Sequence, residues 1–383
     1  MQTTAAGAAR VDREIETLAE FDEVVAVRGS LAGFRIQAVD LSGRTSALLA
    51  CGAEDAVFLG CALSAEAESK VRAEGALVFP PVPGLPFDPY RGGLYTAEEL
   101  FTGLVKGYEA TPDALTYAWC RRTAADGDVY ASMLRSIHDD AVSDALDERL
   151  ATDRAVGVMG GHALARGSDA YAGAARLGRS LARAGLTVMT GGGPGAMEAA
   201  NLGAYAAPFD DAMLDAALEL LGRAPSFTPS VGAWARAAFD VRERWPDGGD
   251  SIGVPTWFYG HEPPNAFAGH IAKYFANAIR EDGLLARSTS GVVFLPGAAG
   301  TLQEIFDNAT PNYYSSRGEP TPMVLVDRVH WTRTLPAWPL LQALAADRPM
   351  AARIALVDTV EEAPAALAEL ARRPTAEGAR ATP

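Results

Sequence analysis

The sequence predicts an α/β protein built on a doubly wound parallel sheet, with an additional α/β domain in front of it. Two observations predict the sheet: short apolar runs alternate with helical segments from about residue 154 onward, and glycine-rich segments directly follow three of these runs. The length of 383 residues, about two to three times that of a typical domain, predicts more than one domain.

Charge and cysteine content narrow the class of protein. There are 33 Lys and Arg residues against 48 Asp and Glu, a formal net charge of −15, which argues against broad binding to nucleic acid or to an anionic membrane. The net charge does not exclude a local basic pocket that binds one small anion. The three cysteines form no CxxC pair, and neither an apolar signal core nor an apolar run of about 18 residues occurs. We therefore expect a soluble, reduced, cytoplasmic protein.

The first 150 residues have the pattern of a mixed α/β domain. Short apolar runs about ten residues apart, separated by Gly, Asp and Ser, predict strands and turns. The predicted strands are residues 23–27, 34–41, 46–50, 56–60 and 76–80. Residues 80–95 are too rich in Pro and Gly for a helix and predict an ordered connector, and residues 96–151 predict helices. No internal repeat stands out.

The pattern changes at about residue 154. An apolar run at 155–159 precedes Gly160 and Gly161, apolar residues at helical spacing occupy 171–184, and a second run at 186–190 precedes three glycines. This is a βαβ unit, and runs at 251–254, 291–295 and 323–326 bring the parallel strands to five. The predicted organisation is an N-terminal α/β accessory domain at 1–150, a Rossmann-like domain at 151–340, and a C-terminal helix and tail at 341–383.

Three glycine-rich loops fall at the predicted carboxyl ends of strands, where open parallel sheets bind ligands. They are residues 160–168, 191–201 and 296–306. Glycines allow backbone N–H groups to approach a ligand, a helix N-terminus favours an anion, and Thr301 adds a hydroxyl. Together the loops predict a phosphate site. A dinucleotide site would show the GxGxxG spacing and a carboxylate after the second strand, and both are missing. The P-loop motif GxxxxGK[ST] of triphosphate-binding proteins is missing as well. The pattern therefore favours a mononucleotide.

Glu304 is the candidate catalytic carboxylate. It follows Thr301 by three residues, so it lies on about the same helical face as the loop, and a carboxylate there can stabilise an oxocarbenium-like cation or activate water. The alternative is a capping box between Thr301 and Glu304 with no catalytic role. Glu198, just after the second glycine loop, has the same two interpretations, and we expect it to be structural.

Two arginines on the helical stretch before residues 291–295, Arg280 and Arg287, could bring positive charge to a nucleotide. The alternative is a solvated helix face shared with Glu281 and Asp282. His162 lies near the first loop, but no His, Cys or Asp cluster has metal-ligand spacing, so neither a metal nor a cofactor is expected.

Residues 191–198, GGGPGAME, and 296–304, PGAAGTLQE, together resemble the GGGxxGxM and PGGxGTxxE motifs of the lysine-decarboxylase-like or LOG family. The family's activity is phosphoribohydrolysis of nucleoside 5′-monophosphates to free base and ribose 5-phosphate. The chain looks closer to the larger bacterial pyrimidine/purine nucleotide 5′-monophosphate nucleosidases. Those also carry an extra N-terminal domain. They share three further motifs, GGH, GPGAME and EPPN, which in this chain are residues 160–162, 193–198 and 262–265. The resemblance covers residues 154–329.

The resemblance implies site residues by motif. Glu304 would be the catalytic carboxylate, and the family's arginine, about 15 residues before its PGG motif, matches Arg280 with a shift of one residue or else Arg287. The RKxxM segment reads REDGL from Arg280, and Ala298 replaces a motif glycine. The residues expected to bind substrate or phosphate are Gly160, Gly161, Gly191, Gly192, Gly193, Gly195, Met197, Gly297, Gly300, Thr301 and Arg287.

The expected function is a nucleoside 5′-monophosphate nucleosidase, an N-glycosyl hydrolase whose partner is a nucleoside monophosphate rather than nucleic acid or a membrane. By resemblance it would form a homodimer or a higher homo-oligomer. One alternative is a non-catalytic nucleotide sensor or carrier of the same fold, and another is an interaction protein whose loops are purely structural.

Overall fold

The computed structural model of the chain describes residues 13–258, 262–314 and 319–373, and over these ranges it confirms the predicted α/β fold. The named strands form two sheets, in each of which neighbours pair in parallel. The chain divides into two compact units, Met1–Leu94 with Thr123–Glu148, and Tyr95–Arg122 with Arg149–Pro383. Within the described ranges, no helix combines the length and apolar character needed to cross a bilayer.

The sheet of the first unit has its strands in sequence order. They are β1 (Glu14–Ile15), β2 (Arg35–Gln37), β3 (Val57–Leu59) and β4 (Leu77–Phe79). The helices between them are α1 (Leu18–Arg28), α2 (Thr45–Ala50) and α3 (Ala65–Ala73). Phe21, Leu48 and Val71 from these helices share one buried apolar cluster with the strands, so the three helices cover the same face of the sheet.

This unit is an internal repeat that the sequence analysis missed. Paired residues in neighbouring strands are 20 to 22 residues apart, as in Arg35 opposite Val57 and Val57 opposite Leu77. The backbone repeats as well, because Gly33, Asp55 and Gly75 all have a left-handed φ, of +72°, +57° and +96°. Strand–helix turns stacked in this way are the architecture of solenoid proteins.

Two predicted strands in this unit were wrong. Residues 23–27 lie in α1 and residues 46–50 lie in α2. Helix α1 begins before the apolar run, at a capping box formed by Thr17 and Glu20. The Thr17 side chain accepts a hydrogen bond from the backbone N–H of Glu20, and the Glu20 carboxylate accepts one from the backbone N–H of Thr17. Gly29, with φ of +60°, ends the helix. The strands predicted at 34–41, 56–60 and 76–80 contain β2, β3 and β4.

As predicted, no helix occurs in residues 80–95, and helices follow. They are α4 (Ala97–Leu100), α5 (Pro112–Ala125) and α6 (Val129–Leu150). The first unit contains a cavity of about 760 Å³. It lies on the sheet face opposite the apolar cluster and is also lined by residues 136, 137 and 140 of α6.

The second unit contains a sheet of seven described strands instead of the five predicted. They are β5 (Ala155–Met159), β6 (Thr187–Thr190), β7 (Ile252–Gly253), β8 (His270–Ile271), β9 (Val292–Phe294), β10 (Met323–Val326) and β11 (Ile354–Val357). Their order is β11-β10-β9-β5-β6-β7-β8. The chain starts at the central strand, builds out to β8, and returns to the other side of β5. The two strands missed are the sheet's edges, one of only two residues and one close to the C-terminus.

Helices connect these strands. They are α7 (Asp169–Arg183), α8 (Ala196–Tyr205), α9 (Asp211–Gly222), α10 (Val231–Arg244), α11 (Asn277–Arg287), α12 (Ala299–Tyr314), α13 (Ala337–Ala345) and α14 (Ala363–Arg372). Gly178 and Gly203 let α7 and α8 pack at close range, because a Cβ on either would lie within 2.1 Å of a backbone oxygen of the other helix. The strand order reverses between β5 and β9, and the crevice outside their carboxyl ends is the expected ligand position for such a sheet.

Candidate functional site

The loops that follow β5, β6 and β9 meet at this crevice. The N–H of Leu295 donates to the carbonyl of Met159 at 2.8 Å, and the N–H of Gly161 donates to the carbonyl of Pro296 at 3.2 Å. At the end of the loop after β6, the N–H of Ala196 donates to the carbonyl of Gly161 at 3.1 Å. Three glycine-rich segments far apart in sequence thus form one contiguous surface.

Two of the predicted glycines allow these loops to touch each other. Gly195 has a φ of +73°, and a Cβ there would lie 2.5 Å from the carbonyl oxygen of Gly161 and 2.6 Å from that of His162. A Cβ on Gly160 would lie 2.8 Å from the Cβ of Ala196. Neither position tolerates a side chain, because the space is already filled by protein.

A buried polar network fixes the loop after β6 from beneath. The Thr190 hydroxyl donates to Oδ1 of Asn201 at 2.7 Å and accepts from the N–H of Gly192 at 2.9 Å. Asn265, the last residue of the EPPN segment, donates through Nδ2 to Asn201 Oδ1 at 3.0 Å and to the carbonyl of Gly193 at 3.2 Å. Both asparagines are fully buried, so the loop conformation is set before any ligand binds.

Met197 lies against the glycines at the surface of this loop. Its Sδ is 2.7 Å from the place that a Cβ on Gly191 would occupy, and its Cε is 3.0 Å from that of Gly193. Gly192, with φ of +70°, faces Pro255 instead, whose Cδ would lie 2.6 Å from a Cβ. Residues 191–193 are therefore buried, and the Met197 side chain, which is partly exposed, covers Gly191 and Gly193.

Arg280 and Glu304 form the charged pair at this loop. Nη1 of Arg280 lies 3.7 Å from Oε1 of Glu304 and 3.4 Å from the Cβ position of Gly191. Asn277 accepts from Nη2 at 2.9 Å and from Nε at 3.3 Å, while Glu281 accepts from Nη2 at 3.2 Å. These partners fix the guanidinium, which is 8% exposed, between the glycine loop and the carboxylate.

The surroundings of Glu304 make its carboxyl group titrate near neutrality. Its side chain is only 12% exposed, and this burial raises the pKa. Arg280 opposes the shift, while the negative charges of Glu281 and Asp307 add to it, so that the pKa rises from 4.5 to about 7. A carboxyl group with such a pKa can exchange a proton at physiological pH, as general acid–base chemistry requires.

The loop after β9 leads directly into α12. A Cβ on Gly297 would lie 2.1 Å from Oγ1 of Thr301, which is buried, so Gly297 gives this side chain its space. The carbonyl of Gly297 contacts Nε2 of His330 at 3.1 Å. Gly300 is exposed, with nothing within 4 Å of its Cβ position. The loop is thus fixed at Gly297 and open at the first turn of the helix.

The structure excludes the capping-box interpretation of Glu304. Helix α12 begins at Ala299, which makes Thr301 its third residue rather than its N-cap. The Glu304 side chain lies beside Arg280. Ala298, which replaces a glycine of the resembled motif, has a φ outside the left-handed region, so it adds no backbone strain.

Glu198 has the structural role expected for it. Its side chain is fully buried, and both oxygens accept from the guanidinium of Arg166, at 2.9 Å for Nε to Oε2. The Tyr171 hydroxyl donates to Oε2 at 2.9 Å, and Nη1 of Arg166 donates to the carbonyl of Trp234 at 2.9 Å. Arg166 was not singled out from the sequence, since nothing local distinguishes it from a surface arginine.

Arg287 lies apart from this group. It is the last residue of α11, and its Nη1 donates to the carbonyl of Gly283 at 3.2 Å. It lies seven positions after Arg280 on the same α-helix, a rise of about 10 Å along the axis. The structure therefore brings Arg280, and not Arg287, into contact with Glu304.

One acidic residue beside the glycine loop was missed as a site candidate. Oε2 of Glu262 lies 3.4 Å from the Cβ position of Gly193, and its Oε1 lies 3.5 Å from Nδ1 of His162. The side chains of Glu262 and His162 are 34% and 55% exposed. The sequence did mark this region, because Glu262 belongs to the EPPN segment. The position of its side chain beside Gly193 could not be predicted from sequence.

A fully buried ion pair also lies in the second unit. Nζ of Lys273, two residues after β8, is 2.6 Å from Oδ1 of Asp113 in α5. Nε1 of Trp257 donates to the same oxygen at 2.8 Å, and the Tyr108 hydroxyl donates to Oδ2 at 2.6 Å. This cluster joins residues 95–122 to the carboxyl edge of the sheet.

Comparison with known proteins gives a partial family match and a set of similar solved structures. The model of the SLOG cluster 4 family matches residues 153–208. The molybdenum cofactor carrier protein of Chlamydomonas reinhardtii is 18% identical, with 58% of this chain and 99% of that chain covered and a TM-score of 0.37. The molybdenum cofactor binding protein of the phototrophic bacterium Rippkaea orientalis is 16% identical, with 57% and 97% covered and a TM-score of 0.34. No curated protein matches the chain. The family match spans β5, α7, β6 and α8, and so includes two of the three glycine-rich loops.

Proposed function

We propose that this protein hydrolyses the N-glycosidic bond of a nucleoside 5′-monophosphate, releasing the free base and ribose 5-phosphate. One observation carries the proposal. A single guanidinium nitrogen of Arg280 lies 3.4 Å from the Cβ position of Gly191 and 3.7 Å from Glu304, a carboxyl group whose pKa is about 7. A cation and a titratable carboxylate are thus held together at the crevice where such sheets bind ligands.

The loop after β9 is the proposed phosphate site. Residues 298–300 are exposed, and the 16-residue helix α12 starts at Ala299. The unpaired N–H groups and the positive end of the dipole in its first turn favour an anion. Glu304 lies one turn further along the same helix, so a phosphate seated here would place the attached ribose toward that carboxylate.

The proposed reaction breaks the bond between C1′ of the ribose and a ring nitrogen of the base. The bonding pair leaves with the base, and C1′ develops oxocarbenium character that the ionised Glu304 stabilises. The oxygen of a water molecule then adds to C1′, and its proton passes to Glu304 and finally to the departing base. Arg280 orients the carboxylate and favours its ionised form.

The direct test measures base release from AMP, GMP, CMP and UMP by the purified protein. The proposal expects hydrolysis of at least one of them and a loss of about 100-fold or more in kcat for Glu304→Gln. Glu219→Gln, on the exposed face of α9, is the matched control and should keep the full rate. Absence of cleavage of all four nucleotides, or a fully active Glu304→Gln variant, would contradict the proposed chemistry.

A second candidate function is nucleotide binding without catalysis, by a carrier or sensor of the same fold. The position of Glu281 favours this candidate. Glu281 accepts a hydrogen bond from Arg280, and its negative charge raises the pKa of Glu304 and so disfavours ionisation of that carboxyl group. Under the resemblance, this position would hold a lysine. Calorimetric titration with the same four nucleotides separates the two functions, because a carrier binds a nucleotide and leaves it intact over hours.

A further inference from the structure

Glu262 is a carboxylate at the glycine loop for which neither the fold nor the proposed reaction provides a role. Among the described residues, no donor hydrogen-bonds either of its oxygens, and its side-chain contact with the imidazole of His162 is a long one, at 3.5 Å. The fully buried Lys273 contributes a positive charge nearby but is itself bonded to Asp113. The carboxylate, whose side chain is 34% exposed, therefore has acceptor capacity that a ligand can use.

Glu262 belongs to the connection between β7 and β8, the two strands that lie beyond β6 on the side of the sheet away from β9. Strands β9, β5 and β6 are neighbours, about 4.8 Å apart, so the phosphate loop after β9 and the glycine loop after β6 are about 10 Å apart. Arg280 contacts the glycine loop at Gly191, on the side shared with Glu304. Glu262 contacts it at Gly193, two residues further along the loop. Phosphate, scissile bond and base would follow one another along this edge.

We propose that Glu262 binds the base and makes the site select one whose edge carries two adjacent N–H donors, as guanine does. The inference rests on the proposed function, since it assigns the base end of the same site. An ionised carboxylate can only accept hydrogen bonds, and its two oxygens match the N1–H and N2–H groups of guanine in a bidentate pair. Adenine and cytosine offer one amino donor next to a ring acceptor, which the second carboxylate oxygen repels.

The neighbours of Glu262 suit such a pair. Met197 supplies a polarisable apolar surface beside residues 191–193, on which a planar base can lie. His162, from the loop after β5, lies beside the carboxylate, with 3.5 Å between Nδ1 and Oε1. Both side chains of the Glu262–His162 contact are partly exposed, so a ligand can reach the carboxylate.

The experiment compares kcat/KM for GMP and AMP in the full-length protein, in Glu262→Gln and in the control Glu219→Gln. The expected preference of the wild-type protein for GMP is about 10-fold to 100-fold, the usual contribution of one bidentate contact to a base. Glu262→Gln, whose amide is both donor and acceptor, should bring the ratio close to one, mainly through a higher KM for GMP. Calorimetric titration of Glu304→Gln with GMP and AMP gives the same comparison without turnover.

The outcomes separate this inference from the proposed function. Cleavage without a preference for GMP, or a preference that Glu262→Gln leaves unchanged, overturns the role of Glu262 and leaves the nucleosidase proposal intact. Failure to cleave or bind any nucleoside monophosphate overturns both. A preference for GMP that disappears in Glu262→Gln and persists in Glu219→Gln supports the inference.

Discussion

The guanidinium of Arg280 lies 3.7 Å from the carboxylate of Glu304, and its Nη1 is also 3.4 Å from the Cβ position of Gly191 in the glycine loop. Asn277 and Glu281 hold it there. The pair joins two helices and a loop from three different strand connections. Most of the predictions below follow from this relationship.

The first prediction concerns the pH dependence of the proposed reaction. Because Glu304 must be ionised to stabilise a cation or to accept a proton from water, and its pKa is about 7, kcat/KM should rise between pH 6 and pH 8 and level off above. The measurement is base release across this range with the substrate well below KM. A rate that falls over the same interval would instead make Glu304 a proton donor.

The second prediction concerns stability and needs no substrate. Since the pKa of Glu304 is raised, the native state binds more protons than the unfolded state between pH 4.5 and pH 7. Ionising this buried group therefore lowers the free energy of unfolding as the pH rises through that window, by up to about 3 kcal/mol. Glu304→Gln should be more stable than the wild type at pH 8 and equal to it at pH 4.5.

Urea denaturation of both proteins at the two pH values measures this difference, with Glu219→Gln as the control for loss of one surface charge. A variant that is destabilised at both pH values would show that the carboxylate contributes to folding rather than opposing it.

The third prediction uses two arginines of the same helix. Arg280→Gln should lower kcat by about 100-fold, the usual effect of removing one preorganised donor from an active site, because it removes the cation from Glu304 and from the glycine loop. Arg287→Gln, two turns away, should stay within a few-fold of the wild type. The comparison is informative because both changes remove the same charge from α11, and equal losses would mean that the helix charge matters rather than the contact.

The fourth prediction concerns the buried pair of Lys273 and Asp113. Lys273→Met leaves Asp113 fully buried with only neutral donors, so the free energy of unfolding should fall by about 3 kcal/mol or more. Lys106→Met, at an exposed position, is the matched control and should change it by less than about 0.5 kcal/mol. Urea midpoints of the two variants test this, and equal midpoints would mean that the ion pair is dispensable.

The fold and the loops were predictable because their signals are local. The apolar runs before Gly160, Gly191 and Pro296 gave the strands, and the glycines after them marked the carboxyl edge at which the three loops were found to meet. The catalytic and binding roles of the residues there remain predictions. Local patterns failed at residues 23–27, where a capping box outside the apolar run started a helix.

Contacts between distant residues could not be predicted. Lys273 and Asp113 are 160 positions apart, and neither residue type signals its partner. The repeat of the first unit could not be recognised for a related reason. Residues at equivalent positions of neighbouring turns are all buried but differ in type, as the pairs Phe34 and Ala56, and Ile36 and Phe58, illustrate. Backbone geometry preserves the period that side chains conceal.

The stacked strand–helix turns of the first unit give it a modular character that the second unit lacks. Each turn of 20 to 22 residues pairs mainly with the turns before and after it, so loss or duplication of one whole turn would preserve the alignment of the remaining strands. In the second unit, β5 lies at the centre of the sheet and contributes a loop to the crevice, so no comparable segment can be removed there. The number of turns in the first unit can therefore change without altering the register of the strands that remain.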